Sequence, residues 1–541
     1  MFNNQTTAHT ASGTNFPGPG IEVVGAAGAN QVVGEGFLTT INGGYFAQEQ
    51  LSFNDYLTGT VGGRYDFSSA FGADAGGVFY PKVSVSYVVS DHRRVADMLP
   101  SWLSTFRVRG AWGQSGRQPG AFDKFTTFNP LASELGAGLV PANLGNPALK
   151  PEISTETELG FEAGFLENQF SMEFTAWNRQ VDDLLVAQQF AVSGGFRNTQ
   201  LNNIGTMKAN GIELGLRWYA INTDRLATDF FFNAAYLKQT LTDLGGAPPL
   251  KVGYIRYRGF LKEDYPLGSL FSPRLAEVCP AGGARNNSAG TPIACYDPAS
   301  QLPINFQGQG TPATTAQLLA YFATPRDLKN SGVQSDLRPL LADFDGNGNT
   351  GEQFVGDIIP DWTGSFGFNT KIGNSWRIST LFEYKTGFFI QNLTDGFRMS
   401  QHPSIGSNRR EWSEIESTML NPASTPEQRL AAAEEYVFKY RRLLEPGLHQ
   451  HQQGDFTRWR ELAVTWTAPE GIAAKLGAKS FSVTASGRNL VIWTKYPGMD
   501  PEANAIGRGI GGALDQNFLD STDAFGLPIP RRFSLAFNYG F

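Results

Sequence analysis

Few residues in this chain have the types and spacing that chemistry requires. Ala342–Asn349 reads ADFDGNGN, placing Asp343, Asp345, Asn347 and Asn349 at alternate positions with Gly348 sixth. Several oxygens on a loop that a glycine lets turn sharply is a pattern suited to a hard cation such as calcium. The twelfth position should supply a bidentate carboxylate, yet Phe354 stands there, with Glu352 and Asp357 nearby. The stretch reads as the first half of a calcium loop, or more plainly as an Asp/Asn/Gly-rich turn. Calcium is the one cofactor the residues suggest. Glu156, Glu158 and Glu162 would share one face of a strand. Catalytic carboxylates must instead flank a bond at a fixed separation, so a solvated wall explains these three better. The histidines His9, His92, His402, His449 and His451 share no ligand or nucleophile spacing. No nucleophile elbow, zinc-protease helix or phosphate loop is present, so the expectation is a protein that is not an enzyme. The two cysteines, Cys279 and Cys295, can close a disulfide in an oxidising compartment, worth roughly 3 kcal/mol in the chain-entropy model, or stay as free thiols in a loop.

The elements that must position these residues are strands. Period-two alternation recurs along the whole chain, and helical periodicity is nearly absent. Val83, Val85, Tyr87 and Val89 oppose Lys82, Ser84 and Ser86; Leu159, Phe161, Ala163 and Phe165 oppose Glu158, Gly160, Glu162 and Gly164. Ile212–Trp218, Ile378–Tyr384 and Phe481–Ala485 repeat the pattern. Segments of about ten residues or more exceed the usual globular strand and match a tilted strand crossing a bilayer, which needs ~9–11. Roughly fourteen such strands can be counted. Glycines on the polar face and aromatics near strand ends favour a transmembrane antiparallel β-barrel, apolar side to lipid and polar side to a wet lumen. The alternative is a secreted, soluble all-β glycan-binding or glycan-degrading protein with the same rows buried in a core.

Composition sets the outer bounds. The chain has 541 residues, 43 Lys and Arg against 50 Asp and Glu, and a formal net charge of −7. With no basic stripe, nucleic acid is not an expected partner. No apolar run approaches the ~20 residues of a transmembrane helix, and residues 1–30 show no signal-peptide pattern.

Connections fall into two lengths. Glu167-Asn168 marks a tight turn, whereas Pro119–Thr155, Gly245–Pro360 and Gln391–Asp455 are very long, the asymmetry of outer-membrane barrels whose long loops face outward. One loop should hold a helix, with Thr425 as N-cap and Pro426 at the first position, running to about Leu444. Trp102, Phe322, Trp412, Tyr436 and Tyr440 are placed in long loops, to touch a ligand or partner or to pack the loops together. At the end of the sequence Phe533, Leu535, Phe537, Tyr539 and Phe541 share one face. A bare apolar edge strand invites aggregation, and a barrel would pair this strand with the first one.

Five blocks, in order, resemble the SusC/RagA-like TonB-dependent transporters of the outer membrane. They are GGRYDFSSAFG (Gly62–Gly72), RVRGAWGQSG (Arg107–Gly116), NLGNPALKPEISTETELGFEAGF (Asn143–Phe165), NIGTMKANGIELGLRW (Asn203–Trp218) and GRNLVIWTKYPGMDPE (Gly487–Glu502). The resemblance runs from about residue 36 to the end and implies the C-terminal barrel portion, residues 36–541, behind an irregular remnant at 1–35. The signal peptide, Ton box and plug domain of such transporters are not found in the sequence, and about fourteen strands compare with about twenty-two in a full barrel of this kind. By resemblance, the parent protein imports an oligosaccharide or peptide beneath a SusD-like surface lipoprotein, in the outer membrane of a Gram-negative-type bacterium. The TonB complex would be reached only through the missing N-terminal part. Phe537, Tyr539 and Phe541 resemble the sorting signal read by the barrel assembly machinery.

Overall fold

The structure is a computed structural model, and it describes residues 2–15, 29–133, 136–188, 193, 195–196, 200–252, 259–281, 283–307, 309–328, 333–395, 410–437, 451–503 and 521–541. Fourteen strands form one sheet with each strand hydrogen-bonded to its neighbours in chain order. They are β1 (Phe2–Thr14), β2 (Ala29–Phe53), β3 (Leu57–Ser68), β4 (Val78–Val88), β5 (Leu103–Arg117), β6 (Glu152–Phe165) and β7 (Phe170–Gln188). Then follow β8 (Gln200–Asn222), β9 (Leu226–Asp243), β10 (Trp362–Ile372), β11 (Trp376–Thr386), β12 (Phe456–Thr467), β13 (Ser480–Thr494) and β14 (Arg532–Gly540). The chain divides into two compact units, residues 1–212 with 239–248, and residues 213–238 with 249–541.

The expected irregular remnant at 1–35 is corrected by β1, which pairs antiparallel with β2 from Phe2↔Asn42 to Thr14↔Ala29. The strand was hidden because Asn, Gln, Thr and His occupy both of its faces, leaving no alternation to read. Within the described residues β1 pairs with β2 at one end of the strand order and β14 with β13 at the other.

Side chains on one face of the sheet have little to bury against. In the first unit Val61, Tyr65, Phe79, Val83, Val85, Val108 and Leu159 are all exposed. Their registers place Val83 opposite both Val61 and Trp112, and Val108 opposite Phe161, in one continuous apolar face. In the second unit the outward row ends on β14, where Phe533 and Phe537 are 77% and 63% exposed. Soluble proteins do not leave apolar faces of this extent in water, so a soluble sandwich does not account for the fold. A hydrocarbon solvent does.

The packed core lies instead in the connections of the second unit. Ile304, Leu318, Phe322, Leu337, Met419, Leu430, Tyr436 and Val437 form one buried cluster. It joins α1 (Thr315–Tyr321), α2 (Arg410–Leu420) and α3 (Pro426–Glu435), all outside the sheet. α3 begins as its sequence requires: the Thr425 hydroxyl accepts from the Gln428 N–H and Gln428 returns the bond to the cap, with Pro426 at N1. The expected continuation to Leu444 falls outside the described residues.

Turn chemistry separates the two ends of the strands. β2 reaches β3 through Asn54 and Asp55 at φ 47° and 62°, and β6 reaches β7 through Leu166, Glu167 and Asn168 at φ 52°, 59° and 63°. Left-handed backbone is what tight hairpins demand, and Asn and Asp tolerate it best. The opposite strand ends carry the long connections, including 244–361 between β9 and β10.

Candidate functional site

The polar face of the first unit is a ladder of charges. β5, β6 and β7 turn Arg107, Arg109, Glu156, Glu158, Glu162, Glu173 and Arg179 to the side opposite Val108, Leu159 and Phe161, because side chains alternate along each strand. Arg107 meets Glu162 at 3.3 Å and donates through Nε to Ser86 Oγ at 2.8 Å. Arg109 reaches Glu173 and Thr175 Oγ1, each at 2.8 Å. Arg179 pairs with Glu156. A cleft of about 660 Å³ opens on this face, bordered by Lys82, Arg117, Glu152, Glu156, Glu158 and Arg179. The glutamates are therefore held as members of a charged, solvated wall, each acid close to a base or a polar neighbour. Such a surface has the polarity of a wall that faces water.

In the second unit a bulge does the positioning. Trp459 pairs with Phe382 and Glu461 with Leu381, which leaves Arg460 as the extra residue. One inserted residue switches which parity faces outward. Leu462, Val464 and Trp466 can thus join the apolar row while Arg458 and Arg460 both turn to the polar side. Arg458, 3% exposed, donates to Asp500 Oδ1 at 2.5 Å and lies 2.7 Å from Glu502. Arg460 bonds Glu383 at 2.6 Å and also pairs with Glu502. Asp500 further accepts the Glu502 and Ile529 N–H groups. Near it, Tyr496 donates to Asp523 Oδ2 at 2.9 Å and Thr394 to Asp523 Oδ1 at 2.6 Å. Burial and then the Asp523 charge push the Tyr496 hydroxyl pKa well above its ordinary value, so it remains a donor. In sequence the YPGMDPE stretch (Tyr496–Glu502) carries a family resemblance and no roles for its residues. Its Tyr496, Asp500 and Glu502 in fact anchor the segment after β13. Acids crowded beside aromatics and Pro were the only hint available.

Other expected site residues lie apart from this network. Cys279 and Cys295 form a disulfide with Cα atoms 5.0 Å apart. Asp343 accepts from the Gly346 and Gly348 N–H groups, and Asn347 and Asn349 cap their own turn. Gly346 and Gly348 sit at φ 77° and 79°, the backbone that the tight turn needs. Among the described residues no group of three or more His, Cys, Asp or Glu side chains is disposed to hold a metal ion. Phe537 and Tyr539 lie on the exposed row of β14, and Phe541, 88% exposed, follows it. Phe322 and Tyr436 are buried in the loop cluster, joining the loops to one another. Trp102 is corrected to the tight-turn end, stacked on Phe165 at 5.8 Å and immediately before β5. His92 bonds Tyr87 there and stacks on Tyr56. Tyr440, His402 and His449 lie outside the described residues, as does the side chain of Trp412.

Comparison with known proteins places this arrangement. Residues 3–299 match the family model described as TonB dependent receptor-like, beta-barrel. The chain is 23% identical over 466 residues to TonB-dependent receptor P3 of Formosa agariphila, covering 82% of this chain and 40% of that protein. It is 24% identical over 211 residues to TonB-dependent receptor SusC of Bacteroides thetaiotaomicron, covering 37% of this chain and 21% of SusC. Among solved structures, the RagAB peptide importer in its closed-closed state superposes with a TM-score of 0.70 at 17% identity, over 99% of this chain and 52% of that one. The last is a likeness of fold. The chain spans about half, or less, of the length of the relatives it matches. The family model covers more than half of the 541 residues, and the chain belongs to the TonB-dependent receptor β-barrel family.

Proposed function

We propose that this chain supplies wall and outer loops to an outer-membrane importer of large nutrients, either oligosaccharides or peptides. The observation that carries the reading is the pairing of faces: an exposed apolar row toward lipid and, on the same strands, the charged ladder Arg107–Glu162–Arg109–Glu173 toward a solute path. The family supports it, since relatives carry the names of TonB-dependent receptors and one solved neighbour is a peptide importer. A SusD-like surface lipoprotein is the proposed partner above the long loops, two of which, 244–361 and 387–455, share a buried core that gives it a firm platform. Energy from the TonB complex would enter through portions of the relatives that this chain does not span. Phe537, Tyr539 and Phe541 are proposed as the segment that the assembly machinery reads.

Two measurements test this. Expressed in a Gram-negative host, the chain should fractionate with the outer membrane and leave it only in detergent; a detergent-free soluble monomer would sink the reading. Deleting its gene in the native host should abolish uptake of labelled oligosaccharides or of labelled peptides. Unchanged uptake of both would remove transport from the proposal.

A further inference from the structure

We infer that the Asp343–Asn349 loop is closed by the side-chain amide of Gln353 in place of a cation, so that it folds without metal. Gln353 is fully buried, and it is the eleventh residue counted from Asp343. Its Nε2 lies 3.2 Å from Asp343 Oδ1, 3.0 Å from Asp345 Oδ1 and 2.7 Å from the Asn349 carbonyl oxygen. These groups occupy the first, third and seventh positions of the loop. They are positions from which a calcium loop directs oxygens at its ion, the seventh through its backbone carbonyl. One nitrogen carrying two polarised hydrogens stands at the point where they converge.

The amide cannot be turned round. Its other end, Oε1, accepts the Phe344 N–H at 2.7 Å and the Asp345 N–H at 3.1 Å. Backbone N–H groups only donate, so exchanging the amide nitrogen and oxygen would set donors against donors and the oxygen against two carboxylates. Hydrogen bonding alone therefore fixes the orientation.

The twelfth position closes the case. Phe354, where a bidentate acid is required, packs its ring against Tyr265 at 5.0 Å and Phe271 at 5.8 Å. Glu352 is exposed, and its N–H bonds back to the Asn349 carbonyl. A loop with an amide at its centre and an aromatic at its closing position keeps the turn geometry of a cation loop but offers the ion neither room nor its strongest ligand.

The test uses the full chain refolded in detergent, with calcium and terbium as probes and limited proteolysis of the loop as readout. In the wild type, protease resistance of residues 343–353 should be the same in chelator and in millimolar calcium. Gln353→Leu should cut within the loop at least tenfold faster in either condition. Gln353→Glu places a third carboxylate on the same point, so it should be cut fast in chelator and be protected by calcium, with sensitised terbium emission. Wild-type calcium uptake that disappears in Asp343→Asn would overturn the inference. So would a Gln353→Leu loop as resistant as wild type without metal.

Discussion

Arg458 and Asp500 meet at 2.5 Å with both side chains buried, tying β12 to the segment that follows β13. A buried pair is costly to assemble but far costlier to break, because one charge is then stranded out of water. Arg458→Ala or Asp500→Ala should lower stability by about 3–5 kcal/mol. Asp500→Asn, which keeps an acceptor for Arg458, should cost less. Thermal unfolding in detergent, followed by the gel-mobility shift of folded and unfolded forms, measures both. Equal loss for Asn and Ala would show that charge rather than hydrogen bonding holds the segment.

Leu535 and Ser534 are neighbours on β14 with opposite tasks. Leu535 pairs with Ala485 on the apolar row, whereas the Ser534 hydroxyl shares a 2.7 Å bond with Ser486 on the polar face. Arginine at a lipid-facing position near the bilayer midplane costs about 2–4 kcal/mol. Leu535→Arg should therefore deplete the folded, membrane-inserted fraction, and Ser534→Arg should leave it nearly intact. Equal tolerance of both substitutions in a fractionation assay would contradict the assignment of the faces.

The same contrast explains what the sequence revealed. Strands whose two faces meet different solvents alternate visibly, as Leu159–Phe165 does, so the sheet was legible. β1 was not, because Asn3, Gln5, Thr7 and His9 on one face are as polar as their neighbours. The loop core was illegible for another reason: Phe322 and Tyr436 belong to one buried cluster although more than a hundred residues separate them, and no local period encodes that packing. At the candidate site, Asp343 and Asp345 announced a turn through their spacing. Gln353 did not, since a lone glutamine carries no pattern until its partners are placed around it.

Reduction should act on the loops alone. The disulfide closes a sequence separation of 16 residues among short strands that contribute nothing to the large sheet. In the chain-entropy model a loop of that length is worth about 3 kcal/mol. Cys279→Ser, or reductant on the wild type, should expose residues near 274–300 to protease while the unfolding of the strands stays unchanged. Loss of the folded sheet on reduction would mean that the loop region supports the strands.

Asp357 makes the loop above β10 sensitive to pH. Burial first, and then the charge of Asp361, raise its carboxyl to about 7, with the Ile359 N–H bond opposing them. Its ordinary value is 3.8, so the folded state binds the proton more tightly than the unfolded state. The stability this contributes is complete below pH 3.8 and is lost as pH rises toward 7. Asp361 shifts upward too, mainly through burial, and adds in the same direction. The segment around Asp357, whose carbonyl accepts the Phe389 N–H, should consequently open more readily at pH 8 than at pH 5. Asp357→Asn stays neutral and can still accept from Ile359, so it should slow amide exchange of Ile359 and Phe389 at pH 8 and flatten the difference between the two pH values. Exchange is to be compared after correction for the intrinsic rate at each pH. A wild-type protection that is already flat from pH 5 to 8 would place this carboxyl back in its ordinary range.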